Sequence, residues 1–202
     1  MSPSPRAVVA SVFVAVAALA PLAAPAQPST PALQRGDTTL LARLRLGGHV
    51  LACRHAVTDT GGNPRAADAR GRERNITDEG VAQSKRIGAA IASLGIPIGT
   101  VLSSQMYRTR ETAMHAFGRV EPVDSLQSPT PHDTFRRMLA TPPRPGTNTV
   151  LVTHQGFLNT VFMAAIGRRV GEGDCVIVRP AGGTEYEVAA YMAADGWERL
   201  GR

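Results

Sequence analysis

Two short stretches, Val50-Leu51-Ala52-Cys53 and Thr149-Val150-Leu151-Val152-Thr153, carry apolar residues side by side rather than in alternation. A strand with one face in water alternates polar and apolar side chains, whereas an unbroken run fits a strand covered on both faces. Such a strand needs helices above and below its sheet, and the intervening sequence supplies them. Thr77 is a good N-cap, Asp78 and Glu79 suit the positive end of a helix, and Ile87, Ile91 and Leu94 form its stripe before Gly95 ends it. A helix over Met106–Phe117 is stopped by Gly118, a short one spans Asp133–Leu139, and another follows Thr153 with Phe157, Leu158, Val161, Phe162 and Ala165 on its buried side. Asp37 can cap a small helix that buries Leu40, Leu41 and Leu44. Further strands are expected at Thr100–Ser103, at Val120–Val123, where Pro122 requires an edge position, and as a hairpin over Cys175–Val178 and Tyr186–Tyr191. Alternating strands and helices predict a three-layer α/β/α sandwich with a mostly parallel central sheet.

The amino end reads differently. Arg6 precedes an uncharged apolar run from Ala7 to Ala20, and Ala24-Pro25-Ala26 has the small-residue pattern of a signal-peptidase site. Residues 1–26 are therefore expected to be a signal peptide, 27–36 a linker, and 37–202 one catalytic-sized domain with no stable membrane span after cleavage. The protein is then periplasmic or secreted. Removal of the leader leaves 176 of the 202 residues, enough for one well-buried domain. A hydrophobic fraction of 43% excludes a disordered chain, and no second apolar run is long enough for a polytopic membrane protein. The net charge of +6 comes with acidic residues interspersed among the arginines and only 4% aromatic residues, too few for base stacking. No nucleic-acid partner is expected; an anionic small substrate suits the charge. Cys53 and Cys175 are the only cysteines. Their even number permits a disulfide, but both sit in apolar runs, where buried free thiols are common.

Reactive side chains gather where the strands stop. The first strand ends in Arg54-His55-Ala56, the second in Ser103-Ser104 ahead of Tyr107-Arg108-Thr109-Arg110-Glu111-Thr112, and a later one in His154-Gln155-Gly156. In an open α/β sheet ligands bind at the carboxyl ends of strands, so these places are expected to converge. Two histidines among arginines make a cationic pocket for a phosphoryl group, because the planar guanidinium fork matches phosphate oxygens. Neighbouring positive charge also keeps an imidazole neutral and its lone pair available for attack.

Arg54-His55-Ala56, Arg108-Thr109-Arg110-Glu111-Thr112-Ala113 and Val152-Thr153-His154-Gln155-Gly156, in this order, resemble the histidine phosphatase superfamily, also called phosphoglycerate mutase-like. Asn75-Ile76-Thr77-Asp78-Glu79-Gly80 with Gln83 adds to the likeness, which runs from Gly48 to Trp197 and is similar to exported bacterial members. The resemblance implies His55 as a nucleophile that becomes phosphohistidine, Arg54 and Arg108 as phosphate ligands, His154 as a donor to the same group, and Thr58 as a further phosphate contact. It implies no metal and no organic cofactor. Arg72 and Arg74 lie in the loop after the first strand and could touch substrate, although loop arginines are usually solvated; Glu111 reads as structural. Many members carry a Glu, two residues past a leucine, that protonates the leaving oxygen. Here Leu126-Gln127-Ser128 puts Ser128 at that spacing, which leaves Asp124, Glu121 and Asp133 as substitutes.

An exported phosphatase acting on a phosphomonoester is the expectation, with a phosphorylated small molecule or envelope glycolipid as substrate. A phosphoglycerate mutase-type phosphotransferase and a catalytically weak phosphate-binding protein of the same fold are the alternatives. Export and the missing Glu speak against the first, and the complete set of His55, Arg54, Arg108 and His154 against the second.

Overall fold

The computed structural model describes residues 38–63, 65–66, 68–127 and 132–200. Residues 1–37, with the segments expected to be a signal peptide and a linker, and Ser128 lie outside the described residues. Along the chain run α1 (Thr38–Leu46), β1 (Val50–Arg54), α2 (Ala69–Arg72), α3 (Asp78–Ser93), β2 (Ile98–Ser103), α4 (Tyr107–Phe117) and β3 (Glu121–Pro122). A 3-10 turn at Asp124–Leu126 leads to α5 (His132–Ala140), β4 (Asn148–Thr153), α6 (Gln155–Ile166), β5 (Cys175–Gly182) and β6 (Glu185–Met192), and a second 3-10 turn covers Trp197–Arg199.

The strands form one sheet in the order β3-β2-β4-β1-β5-β6. The first four are mutually parallel, β5 is antiparallel to β1, and β6 is antiparallel to β5. Pro122 sits on the edge strand, where its missing N–H costs no ladder bond. The apolar run of β1 divides between two cores. Leu51 and Cys53 face α1, α3, α4 and the buried Trp197; Val50 and Ala52 face α5 and α6 through Phe135, Leu139, Phe157, Leu158 and Phe162. That division is the physical reason the run does not alternate. Among the described residues no helix is long and apolar enough to cross a membrane.

Local chemistry sets the helix ends. Thr77 Oγ1 accepts from the Gly80 N–H at 3.1 Å, and Gly118 closes α4 in the left-handed conformation at φ 68°. Gly88 lets α3 lie directly on α4: a Cβ there would stand 1.9 Å from the carbonyl oxygen of Ala116.

Two expectations need correction. Ala165 is exposed, next to the carboxyl end of α6 at Ile166. Cys53 and Cys175 are buried, as their apolar settings indicate, but they are not free thiols; they form a disulfide. The two are directly opposed on antiparallel β1 and β5. Opposed positions on such a pair bring Cβ atoms to bonding range, and that register is invisible in the separate strand patterns.

Candidate active site at the strand ends

β1 and β4 are parallel neighbours in register, Arg54 beside Thr153, so the residues that follow them emerge together. His55 is fixed at the seam: its N–H donates to Thr153 O at 3.1 Å, and its carbonyl accepts from Gly173 N at 3.0 Å. His154 opens α6, and its ring centroid lies 5.8 Å from that of His55. The two histidines expected to meet do so.

The hydrogen bonds assign the tautomer of each ring. His55 Nδ1 lies 2.9 Å from Ala56 O, and a carbonyl only accepts, so the proton is on Nδ1 and the lone pair on Nε2. Arg74 Nη2 stands 3.5 Å from that Nε2. For His154 the order is reversed. Arg108 Nη2, a donor only, lies 3.2 Å from Nδ1, so Nε2 carries the proton and donates to Ser104 Oγ at 2.8 Å. Ser104 continues into Thr109 Oγ1 at 2.7 Å. Burial pushes the His55 pKa down to about 3, assisted by Arg54, Arg108 and His154; burial and then Arg108, Arg74 and Arg54 lower His154 to about 4. Both rings are neutral near pH 7.

Arg54 ends β1 directly before His55, and Arg108 reaches His154 from α4. Burial lowers the pKa of each guanidinium. Arg54 donates to Glu172 at 3.1 Å and to Val170 O at 3.3 Å. The Nε donors of Arg54 and Arg108 are buried with no hydrogen-bond partner among the described residues. Unpaired buried donors are rare in folded proteins, and one on each of the two arginines beside these histidines suits an acceptor bound there. Thr58 is in the same cluster, donating to Glu172 at 2.8 Å.

The remaining motif residues hold the frame. Thr112 Oγ1 accepts from the Ala56 N–H at 2.9 Å and donates to Arg108 O at 2.7 Å, tying α4 to the end of β1. Gln83 accepts from Val57 N and donates to Glu172 O. Asn75 donates to the carbonyls of Arg70 and Glu73, which sets the turn that aims Arg74. Glu111 is structural as expected, in a two-bond pair with Arg70.

Three residues in or beside the cluster were not expected there. Arg74, for which solvation was favoured over substrate contact, reaches both His55 and Glu172. Glu172 was not singled out at all. Glu73 accepts from Tyr107 N at the start of α4, one residue before Arg108. The adjacent Asn75-Ile76-Thr77 motif was the available signal for Arg74. Of the substitute acids, Asp133 is an exposed partner of Arg136 at 3.2 Å, and Glu121 is exposed on the edge strand. Asp124, also exposed, begins the 3-10 turn whose Leu126 carbonyl accepts from Thr153 Oγ1 at 2.7 Å, which places that turn at the carboxyl end of β4.

No protein-family model matches the sequence, and no curated protein sequence matches it. Solved structures do. SixA from Agrobacterium tumefaciens is 19% identical with a TM-score of 0.55, over 72% of this chain and 97% of that one. The protein histidine phosphatase SixA complexed with tungstate aligns at 0.58 and 13% identity over the same shares, 72% and 97%. Phosphoserine phosphatase from Entamoeba histolytica, in complex with 3-phosphoglyceric acid, aligns at 0.51 and 11%, over 72% of this chain and 96% of that one. The architecture expected from the strand runs and the architecture of these proteins agree: this chain has the phosphoglycerate mutase-like fold of the histidine phosphatases.

Proposed function

We propose that the protein is an exported phosphatase that hydrolyses a phosphomonoester through a phosphohistidine at His55. One observation carries the reading. The proton of His55 is committed to Ala56 O on the Nδ1 side, which leaves the Nε2 lone pair beside Arg74 and among arginines with unpaired buried donors. In the first step Nε2 bonds to phosphorus while the bond from phosphorus to the leaving oxygen breaks, and that oxygen takes up a proton. In the second step water bonds to phosphorus, loses a proton, and the electrons of the P–N bond return to Nε2. Arg54, Arg108, Arg74 and Thr58 hold the equatorial oxygens in both steps. When Arg108 turns to the phosphoryl group, His154 can lose its Nε2 proton to solvent and take one up at Nδ1; the Ser104 hydroxyl then donates to Nε2, and Nδ1 donates to the same group. Asp124 is the proposed proton donor to the leaving oxygen, because its turn adjoins the end of β4.

Proteins of this fold include one that holds tungstate, a tetrahedral oxyanion, and one in complex with a phosphorylated three-carbon acid. Both support a phosphorylated substrate here, for which we propose a sugar phosphate or a phosphorylated envelope glycolipid. Export is supported by Arg6, the apolar run and the Ala24-Pro25-Ala26 pattern, and by the disulfide, which persists in oxidising compartments. The test is trapping of acid-labile, base-stable phosphoenzyme with the wild type and with His55→Ala. Phosphoenzyme on a folded His55→Ala variant would overturn the assignment. Mass spectrometry of protein from the envelope fraction should find a mature amino end at Gln27; a chain still beginning at Met1 or Ser2 would overturn export.

A further inference from the structure

The carboxylate of Glu172 is the one acidic side chain that binds directly to the expected phosphate ligands, among the described residues. Its Oε1 accepts from Thr58 Oγ1 at 2.8 Å, from Arg54 Nη2 at 3.1 Å and from Arg74 Nη2 at 3.3 Å, and lies 4.0 Å from His55 Nδ1. An exposed ion pair on a loose loop would show few other constraints. This loop is fastened throughout. Gln83 donates to Glu172 O at 3.1 Å, Gly173 N donates to His55 O at 3.0 Å, and Gly171 N donates to Asp174 Oδ2 at 2.8 Å. Asp174 is held in turn by Ala194 N and the Tyr191 hydroxyl, and Cys175 is cross-linked to β1. Gly173 is left-handed at φ 80°, and a Cβ there would meet the Gln83 side chain at 2.7 Å.

The position matters as much as the rigidity. Glu172 approaches the His55 ring from the Nδ1 side, away from the Nε2 that would attack phosphorus. As Nε2 gives its lone pair to phosphorus and the leaving oxygen departs with its bonding electrons, the ring becomes positively charged while Nδ1 keeps its proton. A fixed carboxylate behind the ring stabilises that charge. It also opposes an incoming dianion before any bond forms, because it shares Arg54, Arg74 and Thr58 with the phosphoryl group.

Building on the phosphatase reading, we propose that Glu172 is the positioning residue of the nucleophile: it orders Arg54, Arg74 and Thr58 and backs the His55 ring as the phosphohistidine forms. Its charge weakens ground-state anion binding and favours the charged ring. Glu172→Gln keeps the shape and the accepting oxygen but removes the charge. Single-turnover phosphoenzyme formation should slow about 10- to 100-fold, the range found for partners that orient metal-ligating histidines. Tungstate, titrated by calorimetry, should bind several-fold more tightly. Glu172→Asp keeps the charge one methylene further back; it should bind tungstate like the wild type and form phosphoenzyme at an intermediate rate. Unchanged phosphoenzyme formation in Glu172→Gln, or weaker tungstate binding, would overturn the inference, since a merely structural ion pair gives one or the other. Should Glu172→Gln fail to fold, Glu172→Asp decides alone, and a wild-type rate in it refutes the role. A wild type that forms no phosphoenzyme from any phosphomonoester would refute the phosphatase reading, whereas tungstate affinity still reads the effect of Glu172 independently.

Discussion

Reducing the Cys53–Cys175 bond should cost the protein at least about a third of a typical domain's stability of about 5–15 kcal/mol. The two cysteines are 122 residues apart, and cross-linking a loop of that size removes about 5 kcal/mol of chain entropy from the unfolded state at 25 °C. Little of this is offset in the folded state by the loss of other contacts, because β1 and β5 remain paired over four positions with or without the bond. For a domain of this length, about 5 kcal/mol corresponds to a melting temperature lower by roughly 10–20 °C. The assay is guanidinium unfolding of the wild type with and without a phosphine reductant, beside a Cys53→Ala, Cys175→Ala double variant that should ignore the reductant. The denaturant slope should also rise on reduction, because an uncross-linked unfolded chain exposes more surface. A difference between oxidised and reduced protein below about 1 kcal/mol, well under the entropic figure, would show that the bond does not restrain the unfolded chain in this way.

Acid should destabilise the protein through its two site histidines. Their folded pKa values, about 3 for His55 and about 4 for His154, lie below the ordinary 6.5, so their contribution is present above pH 6.5 and is lost as pH falls toward 4 and 3. Urea unfolding of His55→Asn should show a shallower fall over that window, and an identical fall would refute the point. Aryl phosphates should outrun alkyl phosphates in kcat/KM if no acid assists, since a positioned acid contributes about 10²–10⁴-fold. If Asp124 assists, Asp124→Asn should enlarge that ratio and Glu121→Gln and Asp133→Asn should not; a small ratio that none of the three enlarges would exclude all of them. Gly88→Ala, with its Cβ 1.9 Å from a backbone oxygen of α4, should lower the unfolding free energy by about 1–3 kcal/mol, and an unchanged denaturant midpoint would contradict the close approach of α3 and α4.

Where a signal was local, the chain could be read directly. The β1 and β4 runs, the Thr77 cap, the edge position of Pro122 and the meeting of His55 with His154 all follow from short patterns and one rule of sheet architecture. What escaped depends on pairing across the chain. The disulfide needs the β1–β5 register. Glu172 escaped for a related reason: looking past the carboxyl end of each strand finds ligands only on parallel neighbours. β5 is antiparallel, so its amino end reaches the site, and the residue to inspect precedes the strand. Arg74 was underweighted because a loop arginine carries no sign of where its turn aims; the Asn75 bonds that aim it exist only in the folded loop.

The seating of β1 between β4 and β5 has a consequence for the order of events in synthesis. β1 is complete at Arg54, but one neighbour begins at Asn148 and the other at Cys175. A ribosome adding residues from the amino end therefore produces the central strand long before anything can cover either of its edges. Contacts of such sequence separation form late and slowly, and no shorter product has a native sheet to settle into. The central strand therefore has neither sheet neighbour until Asn148 and the residues after it have been made.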